Sequence, residues 1–148
     1  IRDRVGQMQT LLENLYKQET TFGETDFSAL CGHLGKHVNK RSFLVLYTNF
    51  SNMTSLNRQL VYLQQLARQH RVLVVFFEDA DLKEYIAGKS VTTEDYYRHV
   101  IAEKFAFEKR LIVSTLKQHG IYSLLTTPDK LSIDVINKYL EMKSRQLL

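Results

Sequence analysis

Ser42-Phe43-Leu44-Val45-Leu46-Tyr47-Thr48-Asn49-Phe50 is an apolar run that breaks off in the polar pair Thr48-Asn49. A short unbroken hydrophobic run with a helical pattern on either side reads as a parallel strand covered on both faces. In open α/β sheets, ligands gather just beyond the carboxyl ends of the strands. Function is therefore to be sought around Thr48, Asn49 and Ser51, whose side chains are polar but chemically mild.

Upstream, Val5, Met8, Leu11, Leu12, Leu15 and Tyr16 recur at three- and four-residue spacing and predict an amphipathic helix over residues 3–18. A polar connector through Gly23 leads to Thr25 or Asp26, either of which can cap a second helix. Its apolar face is Phe27, Leu30, Cys31, Leu34 and Val38. Downstream, a polar loop over 51–55 precedes a third helix that runs to His70 and buries Leu56, Leu60, Leu63 and Leu66. Arg71–Phe77 is the second strand, and it ends in the acidic cluster Glu78, Asp79 and Asp81. A helical turn over 82–87 leads through Gly88-Lys89-Ser90 to Thr92-Thr93-Glu94-Asp95, a good helix start. Tyr97, Val100, Ile101, Phe105, Ile112 and Leu116 line one face of that long helix, and Gly120 is placed to be its left-handed stop. Ile121–Leu125 is the third strand. Thr127 caps and Pro128 opens the last helix, with Leu131, Val135, Ile136, Tyr139 and Leu140 inward.

Strands joined through helices imply right-handed crossovers and a parallel sheet. The expected fold is α/β, a three-layer sandwich of mostly parallel sheet with helices on both faces. Three strands are few for so many helices, so N-terminal strands are expected to be missing. Chain length agrees, since 148 residues suffice for one domain with a real core and not for two. Residues 1–148 are thus read as a single truncated domain, and a first residue of Ile1 instead of Met suggests a piece of a longer protein. No apolar stretch approaches the roughly 18 residues needed to cross a bilayer, and no signal peptide is visible.

Most chemistry is disfavoured by the motifs. One cysteine, Cys31, excludes an internal disulfide framework, and its place in an apolar stripe reads as a core thiol. The net charge of +4 is spread along helices without a dense basic run, which argues against nucleic acid. Gly88-Lys89-Ser90 resembles the end of a phosphate-binding loop, but position 83 is Lys where that loop needs Gly. An Asp after a strand more commonly caps a helix than holds a metal, which weakens Asp79 and Asp81 as ligands. His33 and His37 have metal-pair spacing, yet Leu34 stands where a zincin has its glutamate. With His70, His99 and His119 they read as ordinary surface histidines. No catalytic triad order is present. Asn49-Phe50-Ser51 and Asn52-Met53-Thr54 fit the glycosylation triplet, a pattern without meaning outside a secretory compartment.

Three further stretches carry a resemblance. They are Lys40-Arg41 leading into the strand that closes in Thr48-Asn49, Leu66-Ala67-Arg68-Gln69-His70-Arg71 before a Val-rich strand, and Val135-Ile136-Asn137-Lys138-Tyr139-Leu140-Glu141-Met142-Lys143 near the end. In this order and spacing the chain resembles the C-terminal half of the von Willebrand factor A-like domain of bacterial proteins associated with MoxR-type ATPases (domain of unknown function 58). The resemblance implies a non-enzymatic protein–protein interaction module, an adaptor for a MoxR-type AAA+ ATPase in assembling or maturing protein complexes. It implies a cytoplasmic domain, with a membrane anchor in the parent left open. Such domains carry a divalent cation on an Asp-x-Ser-x-Ser loop, a Thr and a later Asp. By the resemblance Asn49 takes that Asp position and Thr25 is the best candidate for the Thr, while the Asp-x-Ser-x-Ser loop is absent from this chain. A neutral Asn cannot give a hard cation a carboxylate's charge. No metal or other cofactor is therefore expected in this chain, with magnesium open in the parent. The partner-facing rim is expected at Thr48, Asn49, Ser51, Glu78, Asp79 and Asp81. The strand edge at 42–48, having lost its neighbour, is expected to recruit a second copy. The rival reading is a doubly wound nucleotide-binding or hydrolytic domain using the same rim with Lys89 and Ser90.

Overall fold

The computed structural model describes residues 4–19, 25–50, 52–78 and 92–147. Within them the order is α1 (Arg4–Tyr16), α2 (Phe27–His37), β1 (Phe43–Tyr47), α3 (Met53–Gln69), β2 (Arg71–Phe77), α4 (Thr93–Gln118), β3 (Tyr122–Thr126) and α5 (Leu131–Ser144). The three strands form one parallel sheet in the order β1-β2-β3. The register sets Val45 beside Leu73 and Val75 beside Leu124. The expected parallel α/β sheet is thus present, with β1 at one edge.

β2 is the hydrophobic centre because both of its faces are covered. Side chains alternate across a strand. Val72, Val74 and Phe76 turn to one face and join Phe27, Cys31, Leu56, Leu63, Leu66, Ile112 and Leu116 in a core built with α2, α3 and α4. Leu73 and Val75 turn to the other face and are equally buried. There α5 lies on the sheet: the Tyr139 ring sits 5.7 Å from Phe43, and Met142 is buried. Helices therefore flank the sheet on both sides.

Local chemistry sets the element starts and stops. Asp26 caps α2 by accepting the Ala29 N–H at 2.9 Å. Asn52 and Ser55 form a reciprocal capping box, so α3 begins inside the stretch expected to be loop. Thr92 and Asp95 do the same for α4. Gly120 has φ +73°, a left-handed conformation that costs glycine nothing, and α4 ends there as expected.

Other expectations need correction. Thr127 and Pro128 do not open α5. The Lys130 N–H donates to the Thr127 carbonyl at 3.1 Å, which closes a turn, and the helix starts only at Leu131. Ile136 and Leu140 are more than half exposed and Tyr139 is 38% exposed, although all three were expected inward. Among the described residues only one helix lies on that face, so none of them flanks it to cover its outer residues. The expected apolar face of α4 divides in the same way. Ile112 and Leu116 are buried, whereas Tyr97, Val100, Ile101 and Phe105 are exposed. A 26-residue helix is about 39 Å long and a five- to seven-residue strand only about 17–23 Å, so half of α4 overhangs the sheet. In α1, Met8, Leu11, Leu12, Leu15 and Tyr16 are all exposed, and no described element packs on it.

Candidate functional site

β1 ends at Tyr47, and the Thr48 N–H still donates to the Val75 carbonyl at 3.1 Å. This last rung holds Thr48 in line with the sheet and sends Asn49 out beyond it. Phe50 then turns back inward. Its ring lies 6.0 Å from Phe27 and 5.9 Å from Phe76, anchoring the loop in the core. The chain leaves at once into the Asn52 cap of α3. A polar dipeptide is thereby fixed between a strand end and a buried aromatic.

These residues line a cleft of about 160 Å³ with Thr25, Phe27, Ser55, Arg58 and Gln59. Thr25 enters from the residue preceding the Asp26 cap of α2, and Ser55, Arg58 and Gln59 from the first turns of α3. The cleft offers hydroxyls, amides and one guanidinium over an aromatic floor. Such a set donates and accepts hydrogen bonds and supplies neither a nucleophile with its base nor a carboxylate cage. Among the described residues, no group of three His, Cys, Asp or Glu side chains could hold a metal ion.

Lys109, from the middle of α4, reaches this loop, and sequence reasoning missed it. Its Nζ donates to Asn49 Oδ1 and, at 2.9 Å, to the Phe50 carbonyl. Burial lowers its pKa from the ordinary 10.5, because an ammonium withdrawn from water loses hydration. No signal in the chain links positions 60 apart; the pairing follows from how α4 crosses the sheet.

The other expected rim residues fare differently. Glu78 stands at the end of β2, half-buried, its N–H donating to the Thr126 carbonyl at 2.9 Å. It does not line the Asn49 cleft. Ser51, Asp79 and Asp81 lie outside the described residues, as do Lys89 and Ser90 of the rival reading. On β3, Thr126 is buried and donates to Asp134 Oδ2 of α5 at 2.5 Å, tying the strand's carboxyl end to the helix on the second face.

Two side chains read from sequence alone can now be placed. Cys31 is buried, its thiol donating to the Tyr62 carbonyl at 3.4 Å, and desolvation raises its pKa above 9.0. That fits the expected core thiol. His70 corrects the surface reading: it is 2% exposed at the α3–β2 junction, where its Nδ1 accepts the Ser42 N–H at 3.3 Å. Its Nε2 is buried without a partner among the described residues, an arrangement that costs about 1–3 kcal/mol.

No helix among the described residues is long and apolar enough to cross a membrane. Compared with protein-family models, curated proteins and solved structures, the chain matches none.

Proposed function

We propose that this chain is a non-enzymatic protein–protein interaction module, part of a von Willebrand factor A-like domain of the MoxR-associated bacterial family. Its parent works as a cytoplasmic adaptor for a MoxR-type AAA+ ATPase in assembling or maturing protein complexes. The docking surface is the cleft at the carboxyl end of β1, with Thr48, Asn49, Thr25 and Arg58 at its centre and Ser51, Glu78, Asp79 and Asp81 beside it.

One observation carries this reading. Thr25 and Asn49, the two positions that the resemblance equates with a cation site, line the same cleft although they come from different segments of the chain. Lys109 adds support for docking without a metal in this chain. Its ammonium already engages Asn49 Oδ1, the oxygen a cation would take, and holds the rim in one shape. The position of β1 at the sheet edge also supports the missing-strand reading and self-association there.

The test is affinity capture with the parent protein from lysate of the source organism, with and without magnesium, and mass spectrometry of what is retained. An AAA+ ATPase enriched under both conditions is the expected result. Its absence under both would remove the adaptor reading. Sedimentation of the 148-residue chain tests the edge: a concentration-dependent dimer is expected, and a strict monomer at high concentration overturns self-association.

A further inference from the structure

The amino end of the sheet carries a second site, independent of the rim. Between Asp26 and Glu78 the sequence contains no Asp or Glu, and every formal charge in that stretch is positive. Most of those charges collect where α2 and α3 end: Lys36 in the last turn of α2, Lys40 and Arg41 in the connector to β1, and Arg68 in the last turn of α3. Helix C-termini attract cations, which accounts for Lys36 and Arg68. It does not account for Lys40 and Arg41, which follow the helix and border a cavity of about 450 Å³ with Gly35, Asn39, Gln69 and His70.

His70 is the second observation. Because its Nδ1 accepts the Ser42 N–H, the ring's proton sits on Nε2, and that N–H is buried without a partner among the described residues. His70, which carries this buried donor, and two exposed cations thus line one cavity of small-ligand size. Among the described residues no carboxylate pairs with Lys40 or Arg41. The cavity between α4 and α5 shows the contrast: there Glu141 already pairs with Lys138 at 2.9 Å and with Arg145 at 3.2 Å.

We propose that the cavity bounded by Lys40, Arg41 and His70 binds a phosphate-class oxyanion, either free phosphate or a phosphate monoester. Arg41 supplies a planar fork suited to two of its oxygens, Lys40 a point charge, and His70 Nε2–H the buried hydrogen bond.

The experiment is a titration of the ¹⁵N-labelled 148-residue chain with sodium phosphate and, in parallel, phenyl phosphate. Sodium chloride at matched ionic strength serves as the control, and the readouts are the His70 ring nitrogens and the backbone amides of residues 39–42. A saturable shift of His70 Nε2 with phosphate but not chloride is expected. The surface double variant Lys40→Ala/Arg41→Ala should weaken binding at least tenfold with its remaining spectrum unchanged. His70→Gln, which keeps a side-chain N–H donor, should retain binding within a few-fold. Tighter binding of phenyl phosphate assigns the site to an ester, tighter binding of phosphate to the free ion. The proposal is overturned by a response equal to that of chloride, by no saturation, or by unchanged affinity in the double variant.

Discussion

The two ends of the sheet solve the same problem in opposite ways. Each must finish three strands and several helices without stranding polar groups. At the carboxyl end a half-buried cation, Lys109, meets two oxygens of the Asn49-Phe50 turn and Thr126 meets Asp134, while Thr127 Oγ1 is buried without a partner among the described residues. At the amino end Lys40 and Arg41 have no carboxylate partner among the described residues, and the N–H of buried His70 points to no acceptor. The Lys109 contacts fix the loop that the proposed docking surface uses. An unsatisfied donor beside uncompensated charge makes a surface suited to an anion.

This contrast can be broken by mutation. The largest effect is expected for His70→Ala, which empties a fully buried position and leaves the Ser42 N–H without its acceptor. Urea unfolding at pH 7 should show a loss of about 2–4 kcal/mol. Lys109→Met should cost less, about 1–2 kcal/mol, because the lost hydrogen bonds are offset by relief from desolvating the ammonium. If Lys109→Met proved the costlier of the two, the carboxyl end would depend on its cation more than the contrast allows.

Titration probes both ends, Lys109 at alkaline pH and Glu141 at acid pH. Lys109 has a folded pKa below 10.5, so the unfolded chain holds more protons in the window between. Stability relative to Lys109→Met should therefore rise as pH climbs through that window. Glu141, at the amino end, has its pKa lowered from 4.5 first by the hydrogen bond from Lys138 and then by the charges of Lys138 and Arg145. Its contribution is present above 4.5 and lost as pH falls through the lower folded midpoint. The effect is small because the group is exposed, and a carboxyl NMR titration with a midpoint below 4.5 is the measurement that detects it. Cys31 gives the mildest check: alkylation should be slow in the folded chain and fast in urea.

Much of the fold was legible because it rests on local pattern. Arg71–Phe77 coincides with β2, and Ser42–Thr48 exceeds β1 by one residue at each end. The Thr92 start and the Gly120 stop of α4 follow from capping chemistry and from a positive φ. Helical periodicity, however, says which residues share a face and not whether anything covers it. Tyr97, Val100, Ile101 and Phe105 were read correctly as a stripe and still lie exposed, because α4 outruns the sheet. The strand-end rule led to Thr48 and Asn49, which line the carboxyl-end cleft. Lys109 and His70 were not legible, since their partners Asn49 and Ser42 lie 60 and 28 positions away, and only the crossing of elements joins them.

The central claim, that the carboxyl-end cleft is the partner surface, is tested most directly by comparing variants of the two ends in one capture experiment. The parent protein carrying Thr48→Ala/Arg58→Ala and the parent carrying Lys40→Ala/Arg41→Ala would be used as bait beside wild type, with the retained AAA+ ATPase quantified. The account predicts at least a tenfold loss for the rim variant and retention near wild type for the amino-end variant. Equal retention by all three baits, or loss confined to the amino-end variant, would contradict it.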